Sequence, residues 1–119
     1  MKKKNLEVIK MRFVWVSRHE LTDLNKQILQ KAFGDFDVVQ FKDTVQDIRD
    51  LKQFADQHGA DAYVVVLPPH LIQQLLAIDE RPIYRFIVER RLKENGEAEF
   101  IPTGLEQIKE IKVVTERIV

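Results

Sequence analysis

The chain has 119 residues, 45% hydrophobic and 32% charged, with four glycines, four prolines and no cysteine, which is enough for one domain with a single core and short for two. Nineteen basic residues against nineteen acidic ones leave no formal net charge. That balance excludes a generic polyanion binder or a duplex-DNA partner, because non-specific nucleic-acid binding needs an excess of Lys and Arg to release counterions.

The absence of cysteine removes disulfide frameworks, cysteine zinc sites and cysteine nucleophiles together, and it fits a reducing interior. The apolar run Tyr63–Leu67 ends at Pro68 and Pro69, so no stretch is long enough to span a bilayer. Met1–Lys10 begins with lysines but lacks the apolar core and small-residue cleavage site of a secretory signal. It reads as a flexible extension (1–10) ahead of one domain at 11–119. A cytoplasmic protein without membrane contact is expected.

Arg12–Val16 is a short run of β-formers that stops at Ser17, Arg18 and His19, and it predicts a buried strand. Leu21, Leu24, Ile28, Leu29, Ala32 and Phe33 then fall on one helical stripe, with Thr22 as a cap and Gly34 as the stop. Phe36–Phe41 predicts a second strand. Thr44 and Asp47 give a capping-type start to a helix whose face carries Val45, Ile48, Leu51, Phe54 and Ala55, closed by His58 and Gly59. Tyr63–Leu67 predicts the third strand. Pro68 and Pro69 lead into a short helix bearing Leu71, Ile72, Leu75 and Leu76, since proline is tolerated in a first helical turn.

From Pro82 the pattern changes. Ile83–Leu92 and Glu97–Ile101 predict a hairpin around the Lys93–Gly96 turn, Pro102–Gly104 breaks the chain, and Ile111–Val119 predicts a last strand. Arg81, Arg85, Arg90, Arg91 and Lys93 alternate with Asp79, Glu80, Glu89, Glu94 and Glu97, which reads as a mixed-charge exposed hairpin rather than a basic patch. Trp15 reads as core and His58 as a helix-end residue.

Apolar strands alternating with amphipathic helices predict a parallel sheet covered on both faces, a three-layer α/β fold. Strands one and three are the most uniformly apolar and strand two is mixed, which favours the order 2-1-3. In such sheets ligands collect at the carboxyl ends of the strands where the winding reverses. That edge gathers Ser17-Arg18-His19, Lys42-Asp43-Thr44 and Pro68-Pro69-His70.

No G-x-G-x-x-G, P-loop or G-x-S-x-G segment is present, and the acidic cluster of a receiver domain is missing from the same edge. Three histidines without close pairing argue against a metal site, and no cofactor is expected. Ser17 and Arg18 at a helix start suit a phosphate, with Thr44 and Pro69 as further ligand contacts. His70, in the first turn of the third helix where the dipole disfavours imidazolium, is a candidate neutral imidazole for phosphodiester chemistry, and His19 stands on the same edge. The same residues also read as a solvated loop and a helix-start cap.

Two segments carry a resemblance. Val16-Ser17-Arg18-His19, with Leu67-Pro68-Pro69-His70-Leu71, resembles the V-S-R-H and L-P-x-H-L segments of a small CRISPR-associated family of ring nucleases. The resemblance implies a Rossmann-like protein that degrades a cyclic oligoadenylate second messenger without metal and so switches off type III CRISPR signalling. In that chemistry a ribose 2′-hydroxyl attacks the adjacent phosphorus and leaves a 2′,3′-cyclic phosphate. Arg18 would hold the phosphate, Ser17 would orient it, and His70 or His19 would move protons. A symmetric ligand favours a two-fold homodimer, with the strand-rich C-terminal third as its interface. A non-catalytic cyclic-nucleotide binder and a pure protein-interaction domain remain as alternatives.

Overall fold

The computed structural model describes residues 10–112 and 115–119. Three helices alternate with the first strands of a five-stranded mixed sheet. The chain runs β1 (Met11–Val16), α1 (Asp23–Phe33), β2 (Phe36–Phe41), α2 (Ile48–Gln57), β3 (Ala62–Val65), α3 (Pro69–Ile78), β4 (Ile83–Leu92) and β5 (Ala98–Ile108). The sheet order is β2-β1-β3-β4-β5, parallel through β4, with β5 antiparallel to it. The expected order of the first three strands and the hairpin are both present.

Strand β1 is the centre of the design. It pairs with β2 along its whole length and with β3 from Phe13 to Val16, and those four residues are buried. Its side chains alternate between two cores. Val14 and Val16 face Leu51 and Ala55 of α2 and Ile72 and Leu75 of α3. Phe13 and Trp15 face Leu29 of α1, with Phe33, Phe36, Tyr84 and Phe86 packed around them. Helices α2 and α3 thus pack into one cluster and α1 into the other. Full burial of such side chains contributes roughly 1.5–3 kcal/mol each.

Local signals set the helix ends. Thr22 and Asn25 form a capping box: the Asn25 backbone N–H donates to Thr22 Oγ1 at 3.2 Å, and the Thr22 N–H donates to Asn25 Oδ1 at 3.0 Å. Gly34 ends α1 at φ 76°, a left-handed conformation that favours glycine. Helix α1 presents a narrower apolar face than its spacing predicts, since Leu24 and Ala32 are exposed.

Four expectations are corrected. Helix α2 starts at Ile48 with Asp47 as its cap, accepting from the Arg49 N–H at 2.9 Å, so Thr44 is not the capping residue. Strand β3 stops at Val65; Val66 and Leu67 run past its end, and Val66 is exposed. Pro102–Gly104 does not break the chain. The register shifts between Ile87 and Val88, which pair with Gly104 and Pro102, leaving Thr103 as the extra residue of a bulge. A proline fits there because β5 is the sheet edge, where a missing N–H costs no ladder partner. Gly104 fits because a Cβ there would sit 3.3 Å from Ile87 Cδ1. Finally, no described residue of 111–119 is in a strand; Val113 and Val114 of that expected strand lie outside the described residues, as do residues 1–9 of the expected extension.

The edge of the sheet away from the carboxyl ends is clamped by a polar network. The Tyr63 hydroxyl donates to Asp79 Oδ2 at 2.5 Å, and Arg81 joins Asp79, Asp56 and the Ala60 carbonyl, each at 2.8 Å. Arg81 thus leaves the mixed-charge hairpin to which its sequence neighbours assign it. Burial and the Asp79 bond push the Tyr63 hydroxyl up from its ordinary pKa. Burial alone would raise Asp79, but bonds from Tyr63 and Arg81 outweigh it and hold the carboxyl below the usual range. The clamp fixes where α3 delivers the chain into β4. No helix among the described residues is long and apolar enough to cross a membrane.

Asp79→Ala strands the Tyr63 hydroxyl and is expected to cost about 1–3 kcal/mol in urea unfolding at pH 7. Because Asp79 is more acidic folded than unfolded, its contribution is complete above the unfolded pKa of about 3.9 and is lost as pH falls through the lower folded value. The wild type and the variant should therefore converge in acid; a constant gap across that range would refute the ionic part of the clamp.

Candidate functional site

Parallel pairing of β1 with β2 and β3 brings the segments that follow them to one edge. The Ser17 N–H donates to the Phe41 carbonyl at 3.3 Å and the Val66 N–H to the Val16 carbonyl at 3.1 Å, so the ladders run one step beyond the strands. Ser17, Thr44 and His70 accordingly lie on the same edge, at the point where the winding reverses.

The loop after β1 is held from below. Trp15, buried in the sheet, must place its indole N–H, and it donates to the His19 carbonyl at 2.7 Å. Gln40 Nε2 donates to that same carbonyl and to the Ser17 carbonyl, both at 2.9 Å. The Ser17 hydroxyl accepts from the His19 N–H at 3.1 Å and tightens the turn. Three side chains thus bend the loop over the end of the sheet and put Arg18 at its tip.

Arg18 and Thr44 meet across the winding reversal, Arg18 Nη2 donating to Thr44 Oγ1. One of the five guanidinium donors is used this way, and the contact fixes the orientation of the planar fork. A cleft of about 370 Å³ opens here, walled by Ser17, Arg18, His19, Asp43, Thr44, Val45, Leu67 and Pro68 among others. Of the sequence-predicted site residues, Ser17, Arg18, His19 and Thr44 converge on it. Pro69 and His70 do not line it; they are exposed on the first turn of α3. Releasing Thr44 from the expected helix cap is what frees its hydroxyl for Arg18.

A second cleft, of about 460 Å³, adjoins the first and shares Ser17, His19, Val66 and Leu67 with it. Its walls are largely apolar and aromatic, with Trp15, Phe86, Val88, Phe100 and Pro102, and Arg85, Glu20, Thr22 and Asn25 add polar groups beside the shared Ser17 and His19. Trp15 and Phe86 meet edge to face at 5.8 Å. Among the described residues, no three His, Asp or Glu side chains stand close enough to hold a metal ion.

Sequence reasoning missed Gln40, Asp43 and the second cleft. Gln40 left a signal, being a polar residue one step from the end of β2, between Val39 and Phe41. Asp43 was placed on the right edge without a role. The second cleft depends on how far the β4–β5 hairpin overhangs β3, which the local pattern does not encode. Comparison of the chain with family models, with curated proteins and with solved structures returns no match.

Gln40→Leu removes both carbonyl bonds at nearly constant volume. It is expected to cost about 1 kcal/mol and to raise amide hydrogen exchange across Ser17–Glu20, leaving α2 and α3 unchanged. Unchanged protection in that loop would show that Trp15 alone holds it.

Proposed function

We propose that the protein is a metal-independent ring nuclease that opens a cyclic oligoadenylate at the cleft bounded by Ser17, Arg18, His19 and Thr44. The observation that carries this reading is the meeting of a fixed guanidinium, two hydroxyls and an imidazole in one cleft, where an α/β sheet reverses its winding. The short V-S-R-H and L-P-x-H-L segments support it, because the first of them builds the cleft wall and the second supplies Leu67, Pro68 and Leu71. The reading includes a Rossmann-like three-layer arrangement, a cytoplasmic setting and a role in ending type III CRISPR signalling.

In this mechanism Arg18 binds the scissile phosphate and offsets the charge that grows on its oxygens. Ser17 and Thr44 hold the phosphate and the guanidinium in register. The ribose 2′-oxygen attacks phosphorus in line, its proton leaves to a base, and the P–O5′ bond breaks as the 5′-oxygen takes up a proton. The products are a 2′,3′-cyclic phosphate and a 5′-hydroxyl. His19, which lines the cleft, is the nearer proton-transfer group; His70 stands on the exposed turn beyond it. Asp43 in the same wall opposes an anion and restrains affinity, which favours turnover over tight capture.

Incubation with cyclic tetra- and hexa-adenylate in the presence of a chelator, with products resolved by chromatography, tests the reading directly. Cyclic-phosphate products are expected; binding without products would turn the protein into a sequestering one, and no binding would leave the protein-interaction alternative. Arg18→Ala should weaken binding by about 1.5–3 kcal/mol. His19→Ala should slow single turnover by ~10²–10⁴-fold with affinity nearly kept, and His70→Ala should do little. If His70→Ala carries the loss instead, the proton-transfer role belongs to it, and if neither variant slows the reaction, positioning alone drives it.

A symmetric ligand also leads us to propose a two-fold homodimer burying roughly 1,200–2,000 Å² in total. Light scattering should return twice the mass of one chain. A monomer at high concentration removes the dimer from the reading.

A further inference from the structure

The β4–β5 hairpin does more than complete the sheet. Strand β3 pairs with β4 at Ile83 and Tyr84 and ends one residue later, so from Phe86 onward β4 runs beyond the end of β3 with β5 as its one paired strand among the described residues. The hairpin therefore stands over the carboxyl edge, beside the phosphate cleft. Directly opposed residues share a face, which puts Phe86, Val88, Phe100 and Pro102 together on the side covered lower down by α1. This face is the wall of the second cleft. Phe100 is 66% exposed and Val88 51% exposed there, a heavy apolar load for a surface that no described residue covers.

The two clefts are separated only by the Ser17–His19 turn and the Val66–Leu67 segment, which belong to both. A group covalently attached to a phosphate at Arg18 would pass over that ridge into the aromatic cleft. Its character suits a flat heteroaromatic ring: apolar and aromatic walls, with Arg85, Asn25 and Glu20 for ring nitrogens and amino groups. Base stacking on an aromatic side chain is a strong and general source of nucleotide affinity.

We propose that the second cleft is a nucleobase subsite, in which the base attached to the phosphate at Arg18 stacks on Phe100 of the hairpin. The proposal rests on the phosphodiester reading of the first cleft and adds the residue that recognises the base. Phe100 is a binding residue far from the reacting atoms. Trp15, the only tryptophan, lines the same cleft and reports its occupancy.

The test uses cyclic tetra-deoxyadenylate, which lacks the attacking 2′-hydroxyls and so binds without being cleaved. Affinity, Trp15 emission and sedimentation mass are compared for the full-length wild type, Phe100→Ala, Phe100→Tyr and Arg18→Ala. Phe100→Ala should lower affinity about tenfold or more and abolish the ligand-induced change in Trp15 emission. Phe100→Tyr should restore both, and mass should be the same throughout. If Arg18→Ala loses binding while Phe100→Ala keeps it, the base subsite is wrong and the phosphate reading stands. If the wild type fails to bind, both fall together. Any change in mass on substituting Phe100 assigns that side chain to a contact between copies and overturns the proposal.

Discussion

Strand β1 has paired strands on both edges and a core cluster on each side, so the residues from Phe13 to Val16 are all buried. A backbone in that position must spend its polar groups on the sheet, and any polar side chain must wait until the strand ends. Ser17, Arg18 and His19 are the first residues able to be polar, and they come where the strands on either side also finish. The candidate site is therefore a consequence of how the core closes. Trp15 joins the two: its ring belongs to the core, and its one polar atom reaches out to hold the loop that carries Arg18.

Much of this was legible from local pattern. The strand at Phe36–Phe41, the start of β4 and the turn near Asn95 and Gly96 follow from β-formers bounded by turn residues. The order 2-1-3 follows from strands one and three being apolar on both faces, with Val14, Val16, Tyr63 and Val65 in one core and Phe13, Trp15, Ala62 and Val64 in the other, while strand two carries Asp37 and Gln40. The errors have a common origin in pairing that sequence neighbours do not reveal. Pro102 and Gly104 break an isolated strand, but in an edge strand opposite Val88 and Ile87 a bulge accommodates them. The described residues of 111–119 include β-formers, yet none of them joins a strand, because propensity alone does not supply a paired neighbour.

The site divides in the same way. Ser17, Arg18, His19 and Thr44 were recoverable because topology alone assigns them to one edge. Their mutual orientation was not, since it depends on Gln40 crossing from β2 to two carbonyls of the neighbouring loop. Pro69 and His70 share the edge yet turn away from the cleft, because the first turn of α3 points Leu71 and Ile72 toward the sheet. Residues adjacent in a motif thus face different directions once the helix begins.

The bulge at Thr103 gives the hairpin a mechanical character. Below it, Ile83 and Ile108 are buried and anchor the root; above it, every residue from Val88 to Phe100 is exposed. The hairpin is a cantilever whose hinge is one extra residue. About five residues separate the bulge from the turn, or roughly 17 Å at about 3.4 Å per residue. A change of about 10° in local twist at Thr103 would move the tip by roughly 3 Å, and Phe100 by a fraction of that. Substitutions at Pro102, Thr103 or Gly104 would then tune the width of the second cleft from its rim, without altering any residue in the core.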